Sequence, residues 1–237
     1  MLKKEENITL KIVVFFLLAF LNSCGVNKFS NRRIYTTGKQ WEYQVTIEDS
    51  IGKVLHSEIL KLNVLPGNYN GNKSIEWLHE PIKSAEAVLL FEKYNPLHLD
   101  VKLFEKPFTA TTSVIENHFK RHPNVWIHPP REAFYMALEL CPFPEVYLNL
   151  AVNDKWSTKL GNLNGFGDWD SLSIESQYTY LGSDTIDGSL KEKYSAISNS
   201  AMGSCSAKFE FEKKLGFSYL EYILFDKNVI RFELITK

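Results

Sequence analysis

Trp41, Tyr43, Val45 and Ile47 alternate with Gln40, Glu42, Gln44, Thr46 and Glu48, the two-residue period of a strand with one face in a core and the other in water. Asp49-Ser-Ile-Gly52 supplies turn chemistry, and Val54 to Leu65 predicts a second, longer strand ending at Pro66-Gly67. Ser74 to His79, containing Trp77, returns as a third. Alternation resumes after Leu172. Ile174, Ser176, Tyr178 and Tyr180 share one face, and Leu190 to Ser198 reads as another strand. Cys205, Ala207, Phe209 and Phe211 face opposite Ser206, Lys208, Glu210 and Glu212. Phe217 to Leu224 and Val229 to Ile235 predict a closing hairpin around Phe225-Asp-Lys-Asn228. Connections this short favour an antiparallel meander, because parallel neighbours need long crossovers.

The stretch from Pro81 to Pro144 is less regular, with prolines at 96, 107, 123, 129, 130, 142 and 144 breaking both periods. One helix stands out within it. Pro129-Pro130 ends the preceding segment, Ala133, Phe134, Ala137, Leu138 and Cys141 fall on one helical face, and Pro142 stops the run. Its expected role is to cover one end of a sheet. The fold class that follows is mainly β with some α+β character: a single curved antiparallel sheet or half-barrel with a helical insertion near the middle. No repeat of solenoid length is present.

Upstream of the alternating region, Ile12 to Leu21 is an uninterrupted apolar run preceded by Lys3, Lys4 and Lys11. As a helix it would reach only ~15 Å against a bilayer core of ~30 Å, so it reads as a cleaved export signal. Leu21-Asn22-Ser23-Cys24 resembles the bacterial lipobox, with Asn22 departing from the usual small or apolar residue. The resemblance implies cleavage before Cys24 and diacylglyceryl transfer to its thiol. The organisation expected is a signal peptide over 1–23, a flexible tether over 24–37 and one β-rich domain over 38–237. The acyl chains would hold the protein on a membrane, each buried methylene contributing about 0.8 kcal/mol.

Residues 1–23 take three Lys and two Glu from totals of 27 basic and 28 acidic side chains, leaving the remainder near a net charge of −2. That balance excludes the clustered positive charge that nucleic acid requires. With 44% hydrophobic and 14% aromatic residues, the chain can build a core with no metal or disulfide staple. Cys141 and Cys205 could pair in an oxidising compartment, or Cys205 could serve as a small buried hydrophobe on its strand face. Neither has the neighbourhood of a catalytic nucleophile.

Candidate chemistry is sparse. His118, His122 and His128 lie close in sequence, but Pro123 disfavours a helix there and no ligand spacing is recognisable, so no metal is expected. Trp126-Ile-His-Pro-Pro-Arg131 has two readings. As a site, Arg131 could grip a carboxylate or phosphate with Trp126 and His128 framing a pocket. As structure, the prolines stiffen a corner, Trp126 fills core and Arg131 pairs with Glu132 or Glu139. Gly161-Asn-Leu-Asn-Gly-Phe-Gly167 lacks the Lys-Ser/Thr ending and the strand-to-helix setting of a phosphate loop and reads as an exposed loop. Asp154, Asp168 and Asp170 read as solvated turns. No nucleophile motif is present, so neither an enzyme nor a cofactor is expected.

Trp126-Ile-His-Pro-Pro-Arg131, Leu138-Glu-Leu-Cys-Pro-Phe-Pro144, the Trp156 region and Lys214-Leu-Gly-Phe-Ser-Tyr-Leu-Glu-Tyr222 together resemble a group of uncharacterised secreted lipoproteins of Bacteroidota-type bacteria. The strand pattern is also similar to the half-barrel of bacterial lipoprotein-carrier proteins, a sheet wrapped over a helical plug. These resemblances imply an envelope location and a curved fold; Gly25 and Val26 after Cys24 offer no acidic retention or surface-export tag, so an outer-membrane position facing the periplasm is expected. They assign no activity. The function expected is non-enzymatic binding of a hydrophobic or lipid-like ligand on the concave face, with Trp126, His128 and Arg131 as candidate contacts. The alternative is a structural or assembly lipoprotein that docks a partner protein in the envelope.

Overall fold

The computed structural model describes residues 33–69, 72–117, 123–161, 163–186 and 188–235. The signal peptide, Cys24, most of the predicted tether, His118 and His122 lie outside them. The strands are β1 (Gln40–Glu48), β2 (Val54–Tyr69), β3 (Asn72–His79), β4 (Phe108–Asn117), β5 (Asn124–Ile127) and β6 (Glu145–Tyr147), followed by β7 (Lys155–Leu160), β8 (Ile174–Ile186), β9 (Ser189–Ser200), β10 (Gly203–Glu212), β11 (Gly216–Ile223) and β12 (Val229–Leu234). All belong to one 12-stranded sheet in the order β6-β5-β4-β3-β2-β1-β12-β11-β10-β9-β8-β7. Every pair is antiparallel, including β1 with β12, where Val45 meets Phe232.

The order has a simple logic. Each strand pairs with its neighbour in sequence, and β1 closes on β12, so only β6 and β7 are consecutive without pairing. The sheet curls into a strong half-barrel, and its two free edges come back toward each other. Tyr147 of β6 packs edge-on against Trp156 of β7 with ring centroids 5.2 Å apart. Tyr178 Oη of β8 donates to the Phe143 carbonyl at 3.0 Å, and Tyr194 Oη of β9 to the Tyr147 carbonyl at 3.3 Å.

Strand parity sets what faces inward. Tyr43, Val45 and Ile47 of β1, Leu60, Leu62 and Val64 of β2, and Phe209 and Phe211 of β10 are buried, while their sequence neighbours, apart from the buried Glu212 at the end of β10, face water or are half-buried. Apolar burial on this scale, at ~25 cal/mol per Å², is the main source of stability.

The interior is not hollow. The predicted helix forms as a 3-10 helix, Ala133–Leu140, with all eight residues buried. It therefore departs from the one-sided packing helix expected: it is a plug enclosed on every side, so the contrast between its faces disappears. Ser198 Oγ of β9 donates to the Leu140 carbonyl at 2.7 Å and ties the plug to the wall. An α-helix not legible in the sequence, α1 (Ala85–Lys93), is capped by Ser84 Oγ accepting from Ala87 N–H at 3.1 Å, and it buries Ala87, Leu90 and Phe91.

Two loop expectations change. Ile34 and Tyr35, at the end of the predicted tether, are buried, and their backbone N–H groups donate to the Glu116 carboxylate at 2.7 and 3.1 Å. Leu163 and Phe166, in the glycine-rich segment predicted to be exposed, are also buried. Gly167 makes this possible with a φ of +55° and a backbone so close that a Cβ would sit 2.1 Å from the Pro96 carbonyl oxygen.

Candidate functional site

The seam between β6 and β7 encloses a cavity of about 230 Å³. Trp126 and Phe143 line it from the β5–β6 side, Leu160, Ile174 and Tyr178 from the β7–β8 side, and Glu145 is its acid. Local sequence explains the opening. Cys141-Pro-Phe-Pro144 leads out of the plug, and its two prolines cannot donate to a ladder, so β6 starts only at Glu145 and is three residues long. Glu145 accepts from Asn124 Nδ2 at 3.2 Å, and burial raises its carboxyl above the ordinary value. The seam is thus mainly apolar with one buried carboxyl, whose desolvation disfavours the charged form.

The three residues singled out from the sequence do not share one pocket. Trp126 lines the cavity, with its ring 5.8 Å from both Phe143 and His128. His128 and Arg131 turn instead toward Glu139 of the plug. His128 Nε2 lies 3.5 Å and Arg131 Nε 3.6 Å from Glu139 Oε1, and the Arg131 guanidinium stands 5.0 Å from the Phe166 ring centroid. Of the two acids proposed for Arg131 on structural grounds, Glu139 is the one it faces.

The protonation states at this junction follow from burial. Burial pushes the Glu139 carboxyl up to about 7, with Arg131 pulling it back and Glu132 adding to the rise. His128 is pushed down to about 4, chiefly by burial, against the raising effect of its contact with the Pro129 carbonyl. His128 Nδ1 lies 2.8 Å from that carbonyl oxygen, which can only accept, so Nδ1 carries the hydrogen and Nε2 the lone pair. Between pH values of about 4 and 7, a protonated Glu139 and a neutral His128 therefore face each other at 3.5 Å, with no hydrogen bond formed to Glu139 Oε1.

A second polar cluster gathers around Tyr135 of the plug. Glu58 is buried on the inner face of β2 and accepts at Oε1 from Tyr135 Oη at 2.5 Å and at Oε2 from Glu80 N–H at 2.8 Å. His56 Nε2 and His79 Nδ1 approach the same Oε1 at 3.8 and 3.7 Å. Burial alone would raise the Glu58 carboxyl, but the two imidazoles and the Tyr135 hydroxyl outweigh it and hold the group well below the usual carboxylate range. The cluster fastens the plug to the wall through an ionised carboxylate. Among the described residues, no group of three or more His, Cys, Asp or Glu side chains is arranged to hold a metal ion. Sequence reasoning passed over Glu58, although its position in the register of Leu60, Leu62 and Val64 marks it as an inward-facing charge.

No family model matches the chain, and no curated protein does. Among solved structures, a candidate lipoprotein from Parabacteroides distasonis aligns over 84% of this chain and 94% of its own, at 9% identity and a TM-score of 0.35. A candidate exported protein with a YmcC-like fold from Bacteroides fragilis aligns over 87% and 100%, at 9% identity and a TM-score of 0.34. Both likenesses are remote, and neither carries a function to this chain.

Proposed function

We propose that this chain is a non-enzymatic, lipid-anchored protein of the cell envelope, tethered through Cys24, that holds a short apolar segment in the seam between β6 and β7. The observation supporting this reading is the seam cavity, walled by Trp126, Phe143, Leu160, Ile174 and Tyr178 at the one place where the ring of strands fails to close. At about 230 Å³ it is smaller than the ~300–1,000 Å³ typical of sites that enclose a whole small molecule. It suits a chain end or a single side chain. The concave face as a whole is no candidate, because the plug fills it. Glu145 would accept a polar head group once the tail is seated.

A second reading draws on the same seam. The outer edge of β7 is unpaired, so an extended segment of a partner protein could add as a strand there. A brominated fatty acid, which quenches tryptophan at short range, separates the two. Tryptophan quenching in the wild-type protein that is lost in Trp126→Phe and in Ile174→Phe, where a larger side chain fills the cavity, supports the apolar-segment reading. Equal quenching in all three proteins, or none, overturns it. Intact-mass analysis of protein from bacterial membranes, with Cys24→Ser as control, tests the anchor: the added mass of acyl chains must disappear in the variant.

A further inference from the structure

We propose that Cys141 and Cys205 form a built disulfide site that staples the C-terminal end of the plug to the wall strand β10. Register places Cys205 directly opposite Ser198 of β9. Ser198 Oγ in turn holds the carbonyl of Leu140, the residue before Cys141, at 2.7 Å. That bond holds the residue before Cys141 at the strand position beside Cys205, close enough for each thiol to perturb the other, while Cys141 Sγ donates to the Ala137 carbonyl oxygen at 3.6 Å. Both cysteines are free and only 2% exposed. Pro142, next in sequence, fixes the chain direction at this point.

The bond forms by thiol–disulfide exchange with a disulfide-bearing oxidant. One cysteine thiolate attacks one sulfur of the oxidant, a mixed disulfide forms and one thiolate of the oxidant leaves. The second cysteine's thiolate then attacks the sulfur of the first, the intramolecular S–S bond forms and the second thiolate of the oxidant leaves. The two cysteines lose two electrons and two protons, and the oxidant is reduced to two thiols. Because both sulfurs are enclosed in the finished fold, the first attack takes place before the plug is seated. Once formed, the bond is shielded from reductants by the same burial.

Refolding the full chain in a glutathione buffer rich in the oxidised form, followed by alkylation under denaturing conditions and peptide mapping, tests this directly. Mapping keeps Cys24 separate. The expected result is a linked Cys141–Cys205 peptide, 2 Da lighter than the sum of the free peptides. Reduction should lower Tm by about 5–15 °C. Cys141→Ser and Cys205→Ser should each unfold at the temperature of the reduced wild type and lose the response to reductant. Full alkylation of both cysteines after oxidative refolding overturns the proposal, as does a linked pair whose reduction leaves Tm unchanged. Binding of an apolar probe at the seam is not part of this readout, so either proposal can fail alone.

Discussion

Replacing Glu139 with Gln isolates a pH dependence that the wild-type protein conceals. Glu139 is held near 7 in the fold against an ordinary value of 4.5, so between those pH values the folded chain binds a proton that the unfolded chain has lost. Stability from this group is complete below 4.5 and disappears as pH rises through 7. The shift of about 2.5 units corresponds to about 3 kcal/mol. His128 has the opposite sign. It is held near 4 against 6.5, so the unfolded chain binds the extra proton, and stability falls as pH drops from 6.5 to 4, again by about 3 kcal/mol. Between 4.5 and 6.5 the two slopes cancel.

Urea unfolding at half-unit pH intervals reads both terms, because the remaining titrating groups are common to variant and wild type and drop out of the difference. The stability of Glu139→Gln minus that of the wild type should rise by about 3 kcal/mol from pH 4.5 to 7, crossing to net stabilisation near neutrality. The same difference for His128→Gln should fall by a similar amount from pH 4 to 6.5. A flat difference curve for Glu139→Gln would mean that the carboxyl is ionised throughout, paired to Arg131 at 3.6 Å, and would refute the reasoning.

Tyr135→Phe removes the hydroxyl that donates to the ionised, buried Glu58 at 2.5 Å and should cost about 1.5–3 kcal/mol, read as a lower urea midpoint with an unchanged m value. Because Glu58 is held below its ordinary value in the fold, its contribution is complete above 4.5 and lost as pH falls, so the variant should also lose part of the acid-side decline in stability. Gly216→Ala forces a Cβ onto a backbone with φ of +88°, 2.4 Å from Tyr35 Oη, and should cost roughly 1–3 kcal/mol. Gly67→Ala, at φ of +97° but with open space around it, serves as the comparison for thermal melts, and an equal loss in the two variants would show that docking of Tyr35 contributes nothing.

Legibility in the sequence followed the strength of the alternation. β1 buries four residues at strict two-residue spacing, β8 five, and β10 four before Glu212 breaks the period, so their faces could be assigned from sequence alone. β5 and β6 are four and three residues long, too short for a period to declare itself, and prolines bound both. The plug was legible as a helix but misassigned in burial. Glu139 looked like the polar side of an amphipathic element and is in fact enclosed. Trp126, His128 and Arg131 are close in sequence, yet Trp126 lines the seam while His128, in ring contact with it, and Arg131, beyond Pro129-Pro130, approach Glu139 of the plug.

By itself the sequence determined β1 to β3 and β8 to β12, their inward faces and their antiparallel connections, because each depends on residues within a turn or a strand of one another; β4 to β7 were not legible in it. Tertiary structure decided that β1 would close on β12, that β6 and β7 would not pair, and that a 3-10 helix would fill the interior of the curled sheet. Those outcomes depend on how far twelve twisted strands curl and on what volume remains inside. Both are sums over the whole sheet, and neither is written in any local pattern.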